Sequence, residues 1–403
     1  MRIHIVDPSA YTPPYDHALC RALGRAGAHV ELYTSRFAYG QVAHPVAYRR
    51  HEFFYRAAFG APGSRVRLAT KLAQHVPDML RYRRAALAAE LVHFQWLSVQ
   101  HVDAHLLPPK RTSNGRPRPL VLTAHDVLPR EPRAGQLAAQ RRLYERMDAV
   151  VVHSAHGRAR LIDELGIDAA RVHVIPHGVL RPWEGAAAAL ADGEGVVRVP
   201  RHDLSGALAG EPDASPVDHE SLPIELRAFE GPVALSFGLM RPYKALDVLL
   251  DAWRAIDGAE LWVVGMPRMD IAPLRAAAPA NVRFLTRFVT DAEAHALLRR
   301  ASLAVLPYRE IDQSGVLFTA LGAGVPLLLS DVGGFPEVAA TGAARTVPAD
   351  DPRALHDALK ELLGNPTALA EMAARAHAAA QGAYSWDAIA RTTLALYERL
   401  RAS

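Results

Sequence analysis

The sequence predicts an α/β protein made of two doubly wound, parallel-sheet domains, and three observations predict it. Short apolar runs of strand length alternate with longer segments of helical periodicity along almost the whole chain. Several of those runs, such as Leu120 to Thr123 and Leu303 to Leu306, carry no alternating polar residue, as strands do when helices cover both sheet faces. With 403 residues the chain is too long for one ordinary core and long enough for two.

In order, the first half offers strands at Ile3 to Val6, Val30 to Thr34, Leu91 to Gln95, Leu120 to Thr123, Ala149 to His153 and Val172 to Ile175. Helices are expected near 14–26, 67–89, 134–147 and 155–165. Between Leu180 and Gly231 the pattern dissolves into Ala-, Gly- and Pro-rich sequence, which reads as an interdomain linker, 181–230, with a disordered insertion. The plan then repeats from Val233 to about Leu363, and a last helix runs from Trp386 to Arg401. A crevice is expected between two such sheets, because open parallel sheets bind ligands beyond their C-terminal edges.

Composition excludes several classes. Hydrophobic residues make up 50% of the chain, yet no run reaches the roughly 18 apolar residues of a membrane span. Residues 1–7 already read as a core strand rather than a signal peptide, and the single cysteine, Cys20, fits a core position in a reducing compartment; a cytoplasmic protein is expected. A formal charge of +4 does not point to nucleic acid. The charge is uneven, however: Arg49, Arg50, Arg56, Arg65, Arg67, Lys71, Arg81, Arg83 and Arg84 crowd a stretch that also holds Phe53, Phe54 and Tyr55. This stretch, 49–84, reads either as solvated helix faces or as a weak peripheral contact with anionic lipid headgroups at the inner membrane face.

Two segments carry anion chemistry. In the first, the strand Leu303 to Leu306 is followed by a polar turn, a helix opening at Ser314-Gly315, a second strand at Pro326 to Leu329 and the Gly-rich turn SDVGGFPE (Ser330 to Glu337). A helix opening on small residues leaves backbone N–H groups and partial positive charge at its N-terminus, where a phosphate fits. In the second, a strand from Val233 ends at Gly238 and a turn carries Arg241 and Lys244 just before a periodic helix, Ala245 to Ile256. Lysine occurs only at 71, 110, 244 and 360, so its use at 244 suggests that a compact ammonium is wanted there. The bland alternative for Arg241 and Lys244 is a solvated pair at a helix start.

The combination GLMRPYK (Gly238 to Lys244), Gln313-Ser314-Gly315-Val316, Gly324-Val325-Pro326 and Ser330 to Glu337 resembles the donor half of retaining, nucleotide-sugar-dependent group 1 glycosyltransferases of GT-B fold. Val174 to Gly178 (VIPHG), Leu261 to Gly265 (LWVVG) and Tyr384-Ser385-Trp386 extend the likeness over nearly the whole chain. The resemblance implies two Rossmann-like domains facing a central cleft. An N-terminal acceptor-side domain would comprise 1–180 plus a returning C-terminal segment, 385–403, and a donor domain would comprise 231–384. It further implies metal-independent transfer of a sugar from an NDP-sugar co-substrate to an acceptor hydroxyl of a glycan, a lipid-linked sugar or a small molecule, with retention.

By the same resemblance, Arg241 and Lys244 would hold the diphosphate, and Ser314, Gly315, Val316 and Leu317 would bind it through backbone N–H groups. His125, at the end of a buried strand, would touch the donor sugar, with His93 similarly placed and a weaker candidate. The main chain at Arg287 and Phe288 would meet the base. Two glutamates common in the family fall here on Ile311 and Thr319, neither of them acidic; Asp312 or Gln313 would reach the sugar instead, and Thr319 would offer the ribose one hydrogen bond. The Pro-rich first loop makes Tyr11, Tyr15 and Asp16 either acceptor-side residues or parts of a rigid surface turn. No metal-ligand spacing is visible, and no cofactor is expected. The missing glutamates leave open a catalytically impaired nucleotide-sugar-binding partner subunit, and less so a GT-B epimerase.

Overall fold

A computed structural model describes residues 1–38, 42–61, 63–97, 99–112, 114–129, 134–181 and 221–402. Most of the expected linker, 182–220, with its insertion, lies outside the described residues. The chain divides into two compact units, Met1–Gly178 with Ala383–Ser403, and Val179–Gly382.

Unit 1 runs β1 (Arg2–Asp7), α1 (Pro13–Arg25), β2 (His29–Ser35), β3 (Arg49–Phe54), α2 (Arg65–Ala85), β4 (Leu91–Phe94), α3 (Gln100–Leu106), β5 (Leu120–Thr123), α4 (Gln136–Glu145), β6 (Ala149–Val152), α5 (Ala155–Asp163) and β7 (Val172–Val174). Its seven-stranded sheet has the order β3-β2-β1-β4-β5-β6-β7, with every pairing parallel. Every residue of β4, β5 and β6 is buried, because helices cover both faces. The edge strand β3 lies in a stretch expected to be helical. Its sequence, RRHEFF, has neither alternation nor an apolar run, and its charges suit an edge, where they discourage pairing with another chain.

Unit 2 runs β8 (Val233–Phe237), α6 (Leu246–Trp253), β9 (Glu260–Val264), α7 (Ala272–Ala277), β10 (Val282–Leu285), α8 (Asp291–Arg300), β11 (Leu303–Leu306), α9 (Gly315–Gly322), β12 (Leu327–Ser330), α10 (Phe335–Ala339), β13 (Ala344–Val347), α11 (Pro352–Leu363) and α12 (Pro366–Gln381). The parallel sheet order is β10-β9-β8-β11-β12-β13. Trp253 and Trp262 are fully buried, and truncating either to alanine would cost about 3–5 kcal/mol. The last helix, α13 (Trp386–Ala402), packs on α1 in unit 1.

In each sheet the strand order reverses once, between β1 and β4 and between β8 and β11. The loops leaving these strands diverge to opposite faces and open a crevice at the sheet's C-terminal edge, the usual ligand site of this architecture.

Candidate active site

In unit 2 the chain leaves β8 through Gly238, whose φ of 101° favours glycine. The Gly238 and Met240 amides donate to the carbonyls of Val264 and Met266 at 2.9 Å each, joining this turn to the one after β9. Gly265 is required at that junction, since a Cβ there would fall 2.1 Å from the Gly238 carbonyl oxygen. Pro242–Lys244 form a single 3₁₀ turn, and Ala245, in the left-handed region at φ 50°, redirects the chain into α6. Arg309 braces the turn: its guanidinium meets Asp247 and Asp350 at 2.7 Å each, and its amide donates to the Tyr243 carbonyl at 2.8 Å. The hydrogen bond and charge of Arg309 hold the Asp247 carboxyl below its ordinary pKa.

This bracing fixes Lys244, which is only 5% exposed. Its Nζ donates to the Phe237 carbonyl at 3.1 Å and lies 5.2 Å from the centre of the Tyr308 ring. A Cβ placed on Gly238 would fall 2.9 Å from that Nζ and 3.0 Å from Val316 Cγ2. The ammonium, the turn after β8 and the first turn of α9 therefore meet at the reversal point of the sheet.

Helix α9 begins with Ser314 as its cap, whose Oγ accepts from the Leu317 amide at 3.4 Å, and its first turn holds no acidic side chain. The amides of Gly315 and Val316 have no protein acceptor among the described residues. A side chain at Gly315 would meet only Leu180 Cδ1, at 3.9 Å, so the surface over this amide is open. The loop into α9 is held by Gly333 in the turn after β12: at φ 57° a Cβ there would fall 1.7 Å from the Ile311 carbonyl oxygen.

The other predicted donor-side residues are placed as follows. Arg241 is exposed, and no carboxylate pairs with it among the described residues. Asp312 and Gln313 are half-buried beside the cap, whereas Ile311 is buried. The Thr319 hydroxyl donates to the Gly315 carbonyl at 2.8 Å, which leaves its lone pairs rather than its proton for a ligand. Arg287 is paired with Glu293 at 2.6 Å within the capping box of α8, while Phe288 stands 67% exposed beyond β10.

In unit 1 the edge beyond β4, β5 and β6 carries a cluster of histidines and aromatic rings. His153 Nδ1–H donates to the Ile175 carbonyl at 3.0 Å, so its bare Nε2 accepts from His125 Nδ1–H at 3.2 Å. The bare Nε2 of His125 then faces the Gln95 carboxamide at 3.1 Å, and the amide orientation that turns Gln95 Nε2 to the ring lets it donate there. His177 Nδ1–H donates to the Gly178 carbonyl at 2.6 Å. Tyr15 packs against His125, His153, His177 and Trp386 at centroid distances of 4.7, 5.6, 4.9 and 5.0 Å, and Trp96 stacks on His125.

Burial lowers the pKa of His153 to about 4 and of His177 to about 3. Burial, aided by the neighbouring histidines, holds His125 well below its ordinary value too. The imidazoles are therefore neutral at pH 7, with ring nitrogens bonded to one another, to backbone carbonyls and to the Gln95 carboxamide.

Of the three predicted acceptor-side residues only Tyr11 is exposed; Tyr15 and Asp16 lie beneath the surface. Asp16 forms a side-chain hydrogen bond with Asp7, and burial raises the pKa of both carboxyls, that of Asp16 more strongly. Asp7 accepts the amides of Ser9, Tyr11 and Thr12 at 3.1, 2.6 and 3.4 Å, which fastens the Pro-rich loop. His93, expected to face the crevice, is instead an interior group that bonds Thr123 and Tyr397. His177 and Asp7 were not marked as candidates, although VIPHG and the first loop contain them.

Residues 15–179 match the family described as Glycosyltransferase Family 4, and residues 231–365 match Glycosyl transferases group 1. Each half of the chain thus carries a glycosyltransferase domain, the second of the group 1 family. Among curated relatives of this chain, phosphatidyl-myo-inositol mannosyltransferase of Mycobacterium leprae is 33% identical over 56% of this chain and 63% of its own length. D-inositol 3-phosphate glycosyltransferase of Kineococcus radiotolerans is 26% identical over 66% of this chain and 60% of its own. The matches thus span less than two thirds of either relative.

The chain also resembles solved structures. Sucrose-phosphate synthase of Thermosynechococcus elongatus superposes with a TM-score of 0.71 at 20% identity, covering 100% of this chain and 99% of that one. An Anabaena protein in complex with UDP-glucose superposes at 0.66 and 16% identity, covering 99% and 100%. These likenesses show the GT-B fold.

Proposed function

We propose that this glycosyltransferase moves a sugar from a nucleoside-diphosphate sugar to an acceptor hydroxyl with retention, and without a metal ion. The observation that carries the reading is the convergence of the buried Lys244 ammonium on the Gly238 turn and the first turn of α9. An ammonium beside unfilled helix N–H groups is complementary to a diphosphate, and it stabilises the charge that grows on the leaving group as the glycosidic bond breaks. Exposed Arg241 adds a second cation that would close on the diphosphate when it binds. The structure of the Anabaena relative with UDP-glucose is consistent with a nucleotide-sugar donor.

The mechanism needs little acid–base chemistry from the protein, since the departing diphosphate oxygen would take the acceptor proton. Asp312 and Gln313 would meet sugar hydroxyls, the main chain at Arg287 and Phe288 would meet the base, and Thr319 would accept a hydrogen bond from a ribose hydroxyl. On unit 1 the neutral His125 imidazole would exchange its Nε2 contact with Gln95 for a sugar hydroxyl, held from beneath by Tyr15 and His153, with Tyr11 on the acceptor side.

One observation favours a second reading, a partner subunit that binds nucleotide sugar without transferring it: a buried Ile311 and a self-engaged Thr319 stand where the family has glutamates. Thermal melting with UDP-, GDP- and ADP-sugars tests both. A donor at one hundred times its Kd stabilises the folded form by about 2.7 kcal/mol, so one nucleotide should raise Tm by several degrees. Release of that nucleotide in the presence of acceptor supports transfer; a Tm rise without turnover supports the partner subunit; no rise with any of them overturns the donor assignment.

A further inference from the structure

Two of the groups that hold the buried Lys244 ammonium carry no charge. The Phe237 carbonyl accepts from Nζ at 3.1 Å, and Nζ stands over the Tyr308 ring, 5.2 Å from its centre. Burying an ammonium costs free energy unless protein groups replace its hydration. A carboxylate would do so, but it would also cancel the charge that an anionic ligand is meant to meet. A carbonyl dipole and the electron-rich face of a ring attract the cation and leave its net charge intact.

Tyr308 is itself held by three loops at the C-terminal edge of the unit 2 sheet. It lies in the loop after β11 and is fully buried. Its ring stands perpendicular to that of Tyr243, in the turn after β8, with centroids 5.6 Å apart. It also packs on Phe335, the first residue of α10, at 5.5 Å. The Tyr308 carbonyl accepts the Ser330 hydroxyl at the end of β12, and the next residue, Arg309, donates its amide to the Tyr243 carbonyl. A ring wedged in this way keeps one orientation, so its face stays toward the ammonium. Packing alone calls only for an apolar side chain of that volume; a ring beneath a buried cation adds a directed attraction.

We propose that Tyr308 is a positioning residue for Lys244: its ring face and the Phe237 carbonyl together hold the ammonium beside the first turn of α9. The pair of contacts matches a compact ammonium rather than a planar guanidinium, which accounts for lysine at 244 in a chain that otherwise prefers arginine. The inference rests on the reading of Lys244 as the diphosphate ligand, and adds that Tyr308 acts through that lysine alone.

Calorimetric titration of the full chain with UDP, GDP and ADP tests it, using whichever diphosphate the parent binds. Tyr308→Phe keeps the ring and should hold Kd within about twofold of the parent, whereas Tyr308→Leu should raise it about tenfold, the size of a desolvated cation–π contact. Tyr308→Met, which fills the same space pliably, should repeat the leucine result if leucine lowers Tm too far. In a Lys244→Met background the loss from Tyr308→Leu should shrink to less than about twofold, because the ring has no ammonium left to hold. Lysine-selective ¹³C NMR gives a readout independent of ligand, since only residues 71, 110, 244 and 360 contribute. The signal that Lys244→Met removes should stay in place in Tyr308→Phe and move in Tyr308→Leu.

Parental affinity in Tyr308→Leu, equal losses in Tyr308→Phe and Tyr308→Leu, or the same loss with and without Lys244 would each overturn the proposal. Parental affinity in Lys244→Met would instead overturn the diphosphate reading, and the position of the Lys244 signal then decides alone whether the ring holds the ammonium.

Discussion

The C-terminal edges of the two sheets are built on one topological plan but solve opposite electrostatic problems. In unit 2 the reversal point gathers positive charge around open backbone amides: Lys244, the N-terminus of α9 and, at the surface, Arg241. In unit 1 the corresponding edge is lined with neutral imidazoles packed among aromatic rings, His125, His153, His177, Tyr15 and Trp96. The contrast teaches that the sheet order sets where ligands go, while the residues on the loops decide their charge. On the proposed reading, one edge would take an anion and the other uncharged hydroxyl-bearing groups.

The comparison breaks first at Lys244. Lys244→Ala should lower turnover about 100- to 1,000-fold, the usual effect of removing one donor to developing charge. Lys244→Arg should not rescue it, because the Nζ is already packed 3.1 Å from the Phe237 carbonyl and a guanidinium is larger. Initial-rate assays on both variants check this; near-parental rates would detach the ammonium from the chemistry.

Gly333→Ala comes next. The methyl would collide with the Ile311 carbonyl in a left-handed conformation, so a loss of about 1–3 kcal/mol is expected in denaturant unfolding, along with weakened donor binding as the loop before α9 shifts. Stability equal to the parent would show that this loop is not clamped as described.

The neutral histidines make unit 1 sensitive to acid. Their folded-state pKa values are lowered, to about 4 for His153 and about 3 for His93 and His177, so only the unfolded chain takes up their protons as pH falls below about 6.5. Stability from each is complete above that pH and declines toward pH 4 by up to about 1.4 kcal/mol per pH unit. Asp16 acts in the opposite sense: its raised pKa keeps a proton in the folded state, and its contribution falls as pH rises from about 4 through that raised value. The histidines outnumber it, so calorimetric Tm should fall from pH 6.5 to 4.5, and His177→Phe should flatten the decline. A Tm independent of pH in that window would contradict the neutral cluster.

Arg241→Gln should weaken donor binding only about tenfold, less than the change at Lys244, because an exposed cation is screened. Thr319→Glu is the smallest expected change: a carboxylate facing the ribose should tighten nucleotide binding several-fold, read by titration. A looser complex would place the ribose elsewhere.

Much of this was legible in the sequence because the deciding signals are local. The buried strands announce themselves as uninterrupted apolar runs, and the Ser314-Gly315 opening and Gly238 to Lys244 turn are compact motifs. β3 was not legible, since an edge strand of arginine, histidine and glutamate has no period to read. Nor was the depth of Tyr15 and Asp16, set by α13 packing over α1 from the far end of the chain, or the histidine relay, whose members come from separate loops. Helix α2 was half visible: its charge stands out in the sequence, but which side points inward is decided by the bonds of His75 to Asp103 and of Asp78 to the Tyr55 amide.

The most direct test of the central claim is calorimetric titration of the parent chain and Lys244→Ala with UDP, GDP and ADP. The account predicts that one of these binds the parent, that its monophosphate binds far more weakly, and that Lys244→Ala loses at least about 100-fold in affinity for the diphosphate. Equal affinity of the two proteins for that diphosphate would contradict it.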